Sequence, residues 1–285
     1  MSRYAFYPGC SLKTAAGYKE SIEFVARRLG VELVELPDWN CCGATVAFSI
    51  HEVEALAMAA RVMAIAESQG FDQLVTPCNA CYSTLRKAKK IMEEEGLIQQ
   101  ISSLLQEEGK SYSGRVEIRH VVEVFARDVE GEELEAAISL PFQGLQVAPY
   151  YGCQLTRPWG DLDHPDNPTI MDGVLEAAGC GVVDFTAKTY CCGAAQMVAN
   201  REACLPLVRA ILTDARRKGA EAIATICPLC QFNLDSVQEE LGESLPVVYF
   251  TQILGLAMGG SPREVGIGKV LTPADAVLQA AKGVR

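Results

Sequence analysis

One five-cysteine pattern occurs twice in this sequence, and the repeat constrains the fold more than any other feature. Each copy has a single cysteine, then an adjacent pair followed by Gly-Ala, then a C-x-x-C. The two sets are Cys10, Cys41, Cys42, Cys78 and Cys81, and Cys153, Cys191, Cys192, Cys227 and Cys230. They include all but two of the 12 cysteines in 285 residues. An internal duplication is the simplest explanation, so the sequence predicts two related halves.

Strand-like and helix-like segments alternate within each half. Short apolar runs at 4–7 and 74–75 lead into Cys10 and Cys78, and 146–150 and 223–226 lead into Cys153 and Cys227. Helices are expected at about 16–29, 52–68, 82–95, 170–178 and 201–218. The alternation predicts an α/β fold in which each half is a small, mostly parallel sheet flanked by helices. The cysteines then lie near the C-terminal ends of strands, where open α/β sheets place their sites.

A boundary between the halves is expected near 141–144, where Pro and Gly follow an acidic stretch. The sequence therefore predicts one CCG domain at residues 1–143 and a second at 144–285, named after the Cys-Cys-Gly motif. Each half would hold one metal centre.

Composition narrows the function classes. The net charge of −11 argues against a general nucleic-acid surface, which needs clustered Lys and Arg. No apolar run reaches the roughly 18 residues of a membrane span, and the first residues do not resemble a signal peptide. We therefore expect a cytoplasmic protein in which the cysteines are thiols rather than disulfides.

Metal ligation is the chemistry that such thiols favour. Adjacent cysteines form disulfides poorly, because their side chains point apart on an extended chain. A structural zinc ion takes four ligands and would leave one thiolate over, whereas an iron–sulfur cluster of several irons can use five. Zinc in one half remains the alternative. Gly43 and Gly193 would let the backbone approach inorganic sulfur closely.

Two such centres in related halves suggest a reaction. A disulfide needs two electrons and yields two thiolates. Two thiophilic iron centres facing one cavity between the halves could each supply an electron and each bind one sulfur. This interpretation makes the chain a disulfide reductase.

The motifs C-x30-CC-x35-C-x2-C and C-x37-CC-x34-C-x2-C resemble those of the CCG domain in the B subunit of heterodisulfide reductase, over nearly the whole chain. The resemblance implies that each five-cysteine set holds a noncubane 4Fe-4S cluster. It also implies that a disulfide such as that of coenzymes M and B is cleaved at the two clusters. The implied partners are an iron–sulfur electron donor similar to the C subunit of that family and a flavin-containing protein similar to its A subunit. No G-x-G-x-x-G follows a strand here, so no flavin or nicotinamide site is expected.

Other interpretations and residues stay open at this level. The chain could instead be an iron–sulfur electron-transfer subunit of a lactate or glycolate oxidase-type complex, or of another oxidoreductase. It could also be only a relay or assembly subunit. Lys13, Arg157 and His164 are candidates for charge neutralisation or proton transfer near the clusters. Cys180 and Cys204 lie outside the pattern and are expected to pack in the core.

Overall fold

The structure, a computed structural model, describes residues 2–282. Its strands form two four-stranded sheets in which all neighbours are parallel. The strands are β1 Arg3–Phe6, β2 Glu32–Glu35, β3 Gln73–Thr76, β4 Glu117–His120, β5 Gln146–Tyr150, β6 Gly181–Val182, β7 Ala222–Thr225 and β8 Val247–Tyr249. The orders are β2-β1-β3-β4 and β6-β5-β7-β8, so the second sheet repeats the first. The predicted α/β fold with two repeated halves is confirmed.

Helices connect the strands and flank the sheets. They are α1 Gly9–Leu12, α2 Tyr18–Arg28, α3 Ala47–Ile50, α4 Glu52–Ser68, α5 Asn79–Glu94, α6 Ile98–Leu105, α7 Val121–Glu123, α8 Gly131–Ala137, α9 Ile170–Ala177, α10 Arg201–Arg217, α11 Pro228–Ser236, α12 Gln238–Leu241, α13 Phe250–Ala257 and α14 Asp275–Lys282. Shorter 3₁₀ turns occur at Gln106–Glu108, Thr186–Thr189 and Ile267–Lys269, and a π-turn occurs at Val124–Asp128.

The central strands are apolar and buried because helices cover both faces of a parallel sheet. All four residues of β7 are buried, as are the last three residues of β1 and of β3. The buried residues of helix α4 are almost all alanine, methionine and branched apolar residues. The bounds of this helix match the predicted range. Because the strands are parallel, the loops that follow them lie together at the C-terminal ends of the strands in each sheet.

Three predicted boundaries differ from the structure. Helix α2 begins at Tyr18 rather than residue 16, because Gly17 has φ +78°. Helix α5 begins at Asn79, so that Cys81 lies inside its first turn. The mostly apolar run at 182–185 predicts a strand after the first helix of the second half, but only the two residues of β6 form one, and a 3₁₀ turn follows at Thr186–Thr189.

Two compact units divide the chain. Unit 1 contains the described residues through Lys13 and Val31–Val124, and unit 2 contains Thr14–Gly30 and the described residues from Phe125 onward. Each unit holds one complete sheet and one five-cysteine set. The units do not follow chain order, since residues 14–30 and 125–143 belong to unit 2. The predicted boundary of the sequence repeat at 143/144 stays a prediction.

Helix α2 packs inside unit 2 against helix α13. The rings of Tyr18 and Tyr249 stack with centroids 3.8 Å apart, and the buried hydroxyls of Ser21 and Thr251 are 2.6 Å apart. The Tyr18 hydroxyl also donates to the carbonyl of Ile226, the residue before Cys227. In the described part of the chain, no helix is long and apolar enough to cross a membrane.

Candidate metal centres

Strand order explains why the cysteines of each set converge. In the order β2-β1-β3-β4, the chain leaves β1 toward β2 on one side and later reaches β3 on the other. Crevices open at such switch points, beyond the C-terminal ends of the strands. Cys10 follows β1, Cys78 follows β3, and the Cys41–Cys42 pair follows β2. Unit 2 repeats this arrangement with β5, β7 and β6.

In unit 1 the structure brings the five sulfurs of the first set together. The Sγ atoms of Cys10 and Cys41 are 3.9 Å apart, and those of Cys42 and Cys81 are 3.4 Å apart. Hydrogen bonds from Cys41 and then Cys81 lower the pKa of the Cys42 thiol. Hydrogen bonding to Cys42 and Cys78, together with burial, raises the pKa of Cys81. Crowded thiols of this kind can lose several protons only when a cation takes their place.

Unit 2 has the same geometry. The Sγ atoms of Cys192 and Cys230 are 3.6 Å apart. Hydrogen bonding between Cys153 and Cys191 lowers the pKa of Cys191, and the nearby Arg157 guanidinium lowers it further. Hydrogen bonding to Cys192 and then Cys227 raises the pKa of Cys230. The second centre therefore repeats the first, with a cation added at its edge.

Each C-x-x-C lies at the N-terminus of a helix. Cys78 is the N-cap residue of α5 and Cys227 that of α11, with Cys81 and Cys230 in the first turns. Backbone N–H groups and the helix dipole favour anions there, and they lower the cost of holding thiolates. Pro228 at the first position of α11 needs no N–H partner.

Burial divides each set into an anchored part and an open part. The buried thiols are Cys42, Cys78 and Cys81 in unit 1, and Cys192, Cys227 and Cys230 in unit 2. Cys10, Cys41 and Cys191 are exposed, and Cys153 is half-buried. A metal cluster held by such a set would be bound by the buried thiols on its inner side. Its outer side, at the exposed thiols, would be open to a substrate or a partner protein.

Two tyrosines hold the cysteine pairs, and sequence reasoning missed this role. The Tyr7 hydroxyl donates to the carbonyl of Asn40, just before Cys41, at 2.9 Å. The Tyr150 hydroxyl donates to the carbonyl of Tyr190, just before Cys191, at 2.6 Å. Burial and then nearby thiols raise the pKa of both phenols, which keeps them protonated as donors. The signal that could have found them is their equivalent position in the repeat.

At two glycines the backbone approaches a cysteine sulfur so closely that any side chain would clash with it. Gly9 has φ +69°, and a Cβ there would lie 2.8 Å from Sγ of Cys81. A Cβ at Gly193 would lie 2.7 Å from Sγ of Cys204. Glycine at these positions permits both the left-handed backbone and the close approach to sulfur. Of these two contacts only that of Gly9 is with a predicted ligand, because Cys204 lies outside both sets and a Cβ at Gly43 would meet Ala47. The five thiols of each set fit an iron–sulfur cluster.

All 12 cysteines are free thiols. Among the described residues, no three His, Cys, Asp or Glu side chains are arranged as ligands of one metal ion. The ligand assignments of the ten cysteines stay predictions. The donor set in each unit is five thiols, one more than a structural zinc site takes and a number that a multi-iron cluster can use.

The other predicted site residues have varied surroundings. Lys13 Nζ lies 4.8 Å from the centroid of the Trp39 ring in unit 1. Arg157 donates to the carbonyl of Thr189 at 2.5 Å and lies near Cys191. His164 is exposed, and its Nδ1 accepts hydrogen bonds from the backbone N–H groups of residues 166 and 167, closing a turn. Their roles in chemistry stay predictions.

The two remaining cysteines are buried as expected. Burial raises the pKa of Cys180 to about 12, so this thiol stays protonated. Cys204 is 1% exposed and its thiol donates to the carbonyl of Gly193 at 3.4 Å. Cys204 therefore also positions the second cysteine-pair loop.

Comparison with known proteins agrees with this arrangement. A family model described as "Cysteine-rich domain" (CCG) matches residues 4–86 and 147–235. The chain is 35% identical over 273 residues to the 8-methylmenaquinol:fumarate reductase membrane anchor subunit of Wolinella succinogenes, covering 93% of this chain and 95% of that protein. It is 33% identical over 280 residues to the B subunit of the ferredoxin/F(420)H(2)-dependent CoB-CoM heterodisulfide reductase of Methanosarcina acetivorans, covering 94% and 93%.

A third relative, from Archaeoglobus profundus, is described as similar to the B subunit of heterodisulfide reductase and is 30% identical over 98% of both chains. Among solved structures, a hypothetical protein from Helicobacter pylori has the same fold, with a TM-score of 0.74 and 13% identity. That match covers 96% of this chain and 52% of the other. The named relatives are subunits of oxidoreductases or similar to one. The chain belongs to the cysteine-rich CCG domain family, together with the B subunit of heterodisulfide reductase.

Proposed function

We propose that this chain is the disulfide-cleaving subunit of an oxidoreductase complex and that it binds two noncubane 4Fe-4S clusters. One cluster would be held by the five cysteines of unit 1 and the other by those of unit 2. The observation that carries the proposal is the paired five-thiol arrangement at the switch point of each sheet, with three buried sulfurs and an open side.

The open side of each set distinguishes a reactive centre from a sealed relay. Electron transfer alone needs no exposed ligands, whereas a substrate sulfur must reach the metal. Cys10 and Cys41 in unit 1 and Cys191 in unit 2 are exposed. When bound, the clusters would supply electrons and thiophilic iron for a reaction that takes two electrons and two protons per disulfide and yields two thiols.

The protein's own charged residues would bind and orient the products. Hydrogen bonding with Cys153 lowers the pKa of Cys191 most, and the Arg157 guanidinium adds to this effect, so the same cation can stabilise a substrate thiolate beside it. Lys13 is placed over Trp39, two residues before Cys41. His164 follows Arg157 in the same loop region and is exposed, so it could exchange protons with solvent. These are the residues proposed to act beyond the ligands.

The proposed substrate class follows from the relatives. The Methanosarcina acetivorans relative is named as the B subunit of a CoB-CoM heterodisulfide reductase, so we propose that disulfide or a related one as the substrate. Because no dinucleotide fingerprint is present, electrons would arrive from an iron–sulfur protein similar to the C subunit of such a complex. A flavin-containing protein similar to its A subunit would complete the assembly.

A second candidate is supported by the Wolinella succinogenes relative. That protein is named as a subunit of an 8-methylmenaquinol:fumarate reductase and is 35% identical to this chain. Exposed apolar side chains follow both cysteine pairs within ten residues of the sequence, at Val46, Ile50 and Val198. The chain would then transfer electrons in a quinol-linked complex. A lactate or glycolate oxidase-type complex belongs to the same class of alternative.

Anaerobic purification followed by metal and sulfide counting tests the proposal. We expect about eight irons per chain, an EPR signal that changes on thiol addition, and disulfide-dependent oxidation of a reduced viologen. Cys192→Ser should remove the cluster of unit 2 and abolish disulfide turnover. Cys180→Ser is the matched control, since this buried thiol lies outside both sets.

Specific outcomes decide between the candidates. Stoichiometric zinc in both units, or unchanged disulfide turnover in Cys192→Ser, would refute the reductase. Cluster reduction by a menaquinol analogue, together with no response to thiols or disulfides, would favour the quinol-linked complex.

A further inference from the structure

His120 lies beside the centre of unit 1, although no part of the cysteine pattern includes it. It is the last residue of β4 and pairs in register with Thr76 at the end of β3. Cys78 follows Thr76 by two residues at the N-terminus of α5. The His120 side chain is 0% exposed. A fully buried imidazole therefore lies near Cys78, a predicted cluster ligand.

Hydrogen bonding determines which nitrogen of His120 carries the proton. Nδ1 accepts a hydrogen bond from the backbone N–H of Val122 at 3.3 Å and so caps helix α7. A nitrogen that accepts a hydrogen bond carries no proton, so the ring is neutral and Nε2 is the protonated nitrogen. Nε2 is therefore a hydrogen-bond donor.

That donor lacks a well-aligned acceptor among the described residues. The backbone of Pro77 interacts with the imidazole, but His120 Nε2 is buried and makes no hydrogen bond of normal geometry. Buried N–H groups are nearly always paired, and an orphan at a functional site indicates a missing partner. The hydroxyl of Thr76, the register partner of His120, is also buried without a hydrogen bond. The equivalent hydroxyl of Thr225 in unit 2 is buried in the same way, so the unpaired donor that is specific to unit 1 is Nε2 of His120.

The partner that the surroundings offer is the sulfur of Cys78. Cys78 lies close enough for its charge to act on the imidazole. Its Sγ already receives a hydrogen bond from the Ser11 hydroxyl at 3.7 Å, so the sulfur lies in a polar environment. A thiolate that ligates a metal is a stronger acceptor than a thiol. Cluster binding at Cys78 would supply the acceptor that Nε2 lacks.

Unit 2 provides an internal comparison. Tyr249 is in register with Thr225 and occupies the position that corresponds to His120. Its ring stacks on Tyr18, and its hydroxyl donates to Oε1 of Gln231 at 3.4 Å. The donor at this position is therefore directed to a side-chain amide in unit 2. The two otherwise repeated centres differ at this position.

We propose that His120 is a positioning residue whose Nε2–H donates a hydrogen bond to Sγ of Cys78 in the cluster-bound protein and raises the reduction potential of the centre in unit 1. This inference rests on the proposed function. A donor to a ligand sulfur withdraws electron density and favours the reduced, more negative cluster. The repeat would thereby hold two clusters of unequal potential.

Redox titration followed by EPR tests this role in the full, cluster-loaded chain. His120→Asn keeps an acceptor for the Val122 N–H but removes the donor at the Nε2 position, whereas His120→Gln restores an amide N–H near that position. We expect His120→Asn to shift one of the two titration waves to lower potential by about 59 mV, a tenfold change in a one-electron equilibrium. His120→Gln should recover most of the shift.

Tyr249→Phe is the control in unit 2 and should move neither wave, because its hydroxyl binds Gln231. Iron content and thermal unfolding of each variant show whether the centre and the fold are retained. Two unshifted waves in iron-loaded His120→Asn would overturn the role of His120 and leave the proposed function intact. Wild-type protein without iron in unit 1 would overturn both.

Discussion

Replacing Gly9 by alanine should disturb the centre of unit 1 through one steric contact. Gly9 has φ +69°, and the added Cβ would lie 2.8 Å from Sγ of Cys81. Ordinary contacts begin at 3.4 Å, so the sulfur or the backbone must move by 3.4 − 2.8 = 0.6 Å. Cys81 is 2% exposed and has little room to move. The clash acts on a predicted ligand and not on a surface turn.

The expected loss of stability in Gly9→Ala has two parts, one from the backbone and one from the steric clash. A left-handed backbone costs a non-glycine residue about 1–2 kcal/mol, and overpacking a well-packed site costs about 1–3 kcal/mol. Gly9→Ala should therefore lower the free energy of unfolding by about 2–5 kcal/mol. Gly70 has φ +77° and nothing within 4 Å of its virtual Cβ. The matched variant Gly70→Ala should cost only the backbone part, about 1–2 kcal/mol.

Urea unfolding of the metal-free chain measures the loss of stability in both variants. The iron content of the loaded protein measures whether the centre of unit 1 still forms. We expect Gly9→Ala to lose about half the bound iron, that of unit 1, and Gly70→Ala to retain it. Equal destabilisation by the two substitutions, with full iron in both, would refute the steric reasoning.

Three further substitutions test other contacts of the structure. Tyr150→Phe removes the 2.6 Å hydrogen bond to the carbonyl of Tyr190 and should cost about 1–2 kcal/mol in urea unfolding, with faster alkylation of the second cysteine pair. Glu67→Gln should cost about 2–4 kcal/mol, because the buried carboxylate accepts four hydrogen bonds from residues 113–116 and the amide keeps one oxygen. Lys188→Met should cost about 3–5 kcal/mol at pH 7, because it removes the buried cation that lies 3.1 Å from the half-buried Asp172 carboxylate.

Each of these has an outcome that would contradict it. Burial already raises the pKa of Asp172, so the Lys188→Met deficit should shrink as pH falls and this carboxyl is protonated. A loss of stability in Lys188→Met that grows toward pH 5 would refute the explanation that the unpaired Asp172 carboxylate causes it. Unchanged alkylation in Tyr150→Phe would show that the tyrosine does not hold the loop. Glu67→Gln with wild-type stability would show that the loop at 113–116 finds other acceptors.

The two halves, the strand–helix alternation and the two five-cysteine sets can be predicted from the sequence alone. These are local or periodic properties of the sequence. Each is marked by a short apolar run, a Gly or Pro that ends the run, and a cysteine that follows. Helix α4 was predicted residue for residue because its apolar surface and its ends are encoded within one segment. For α5 the sequence predicts a start three residues too late, because Cys81 lies inside the helix and not in the turn before it.

Which strands are neighbours, and therefore how the sulfurs come together, depends on tertiary packing. Pairing of β1 with both β2 and β3 joins residues about 30 and 70 positions apart, which no local pattern specifies. The assignment of α2 to unit 2 depends on the stacking of Tyr18 on Tyr249 of β8 and on the contact of Ser21 with Thr251 of α13. The same holds for the tether from Tyr7 to Asn40 and for the placement of His120 near Cys78. Burial and hydrogen-bond geometry are properties of the packed chain, and they decide which cysteines are open and which residues support them.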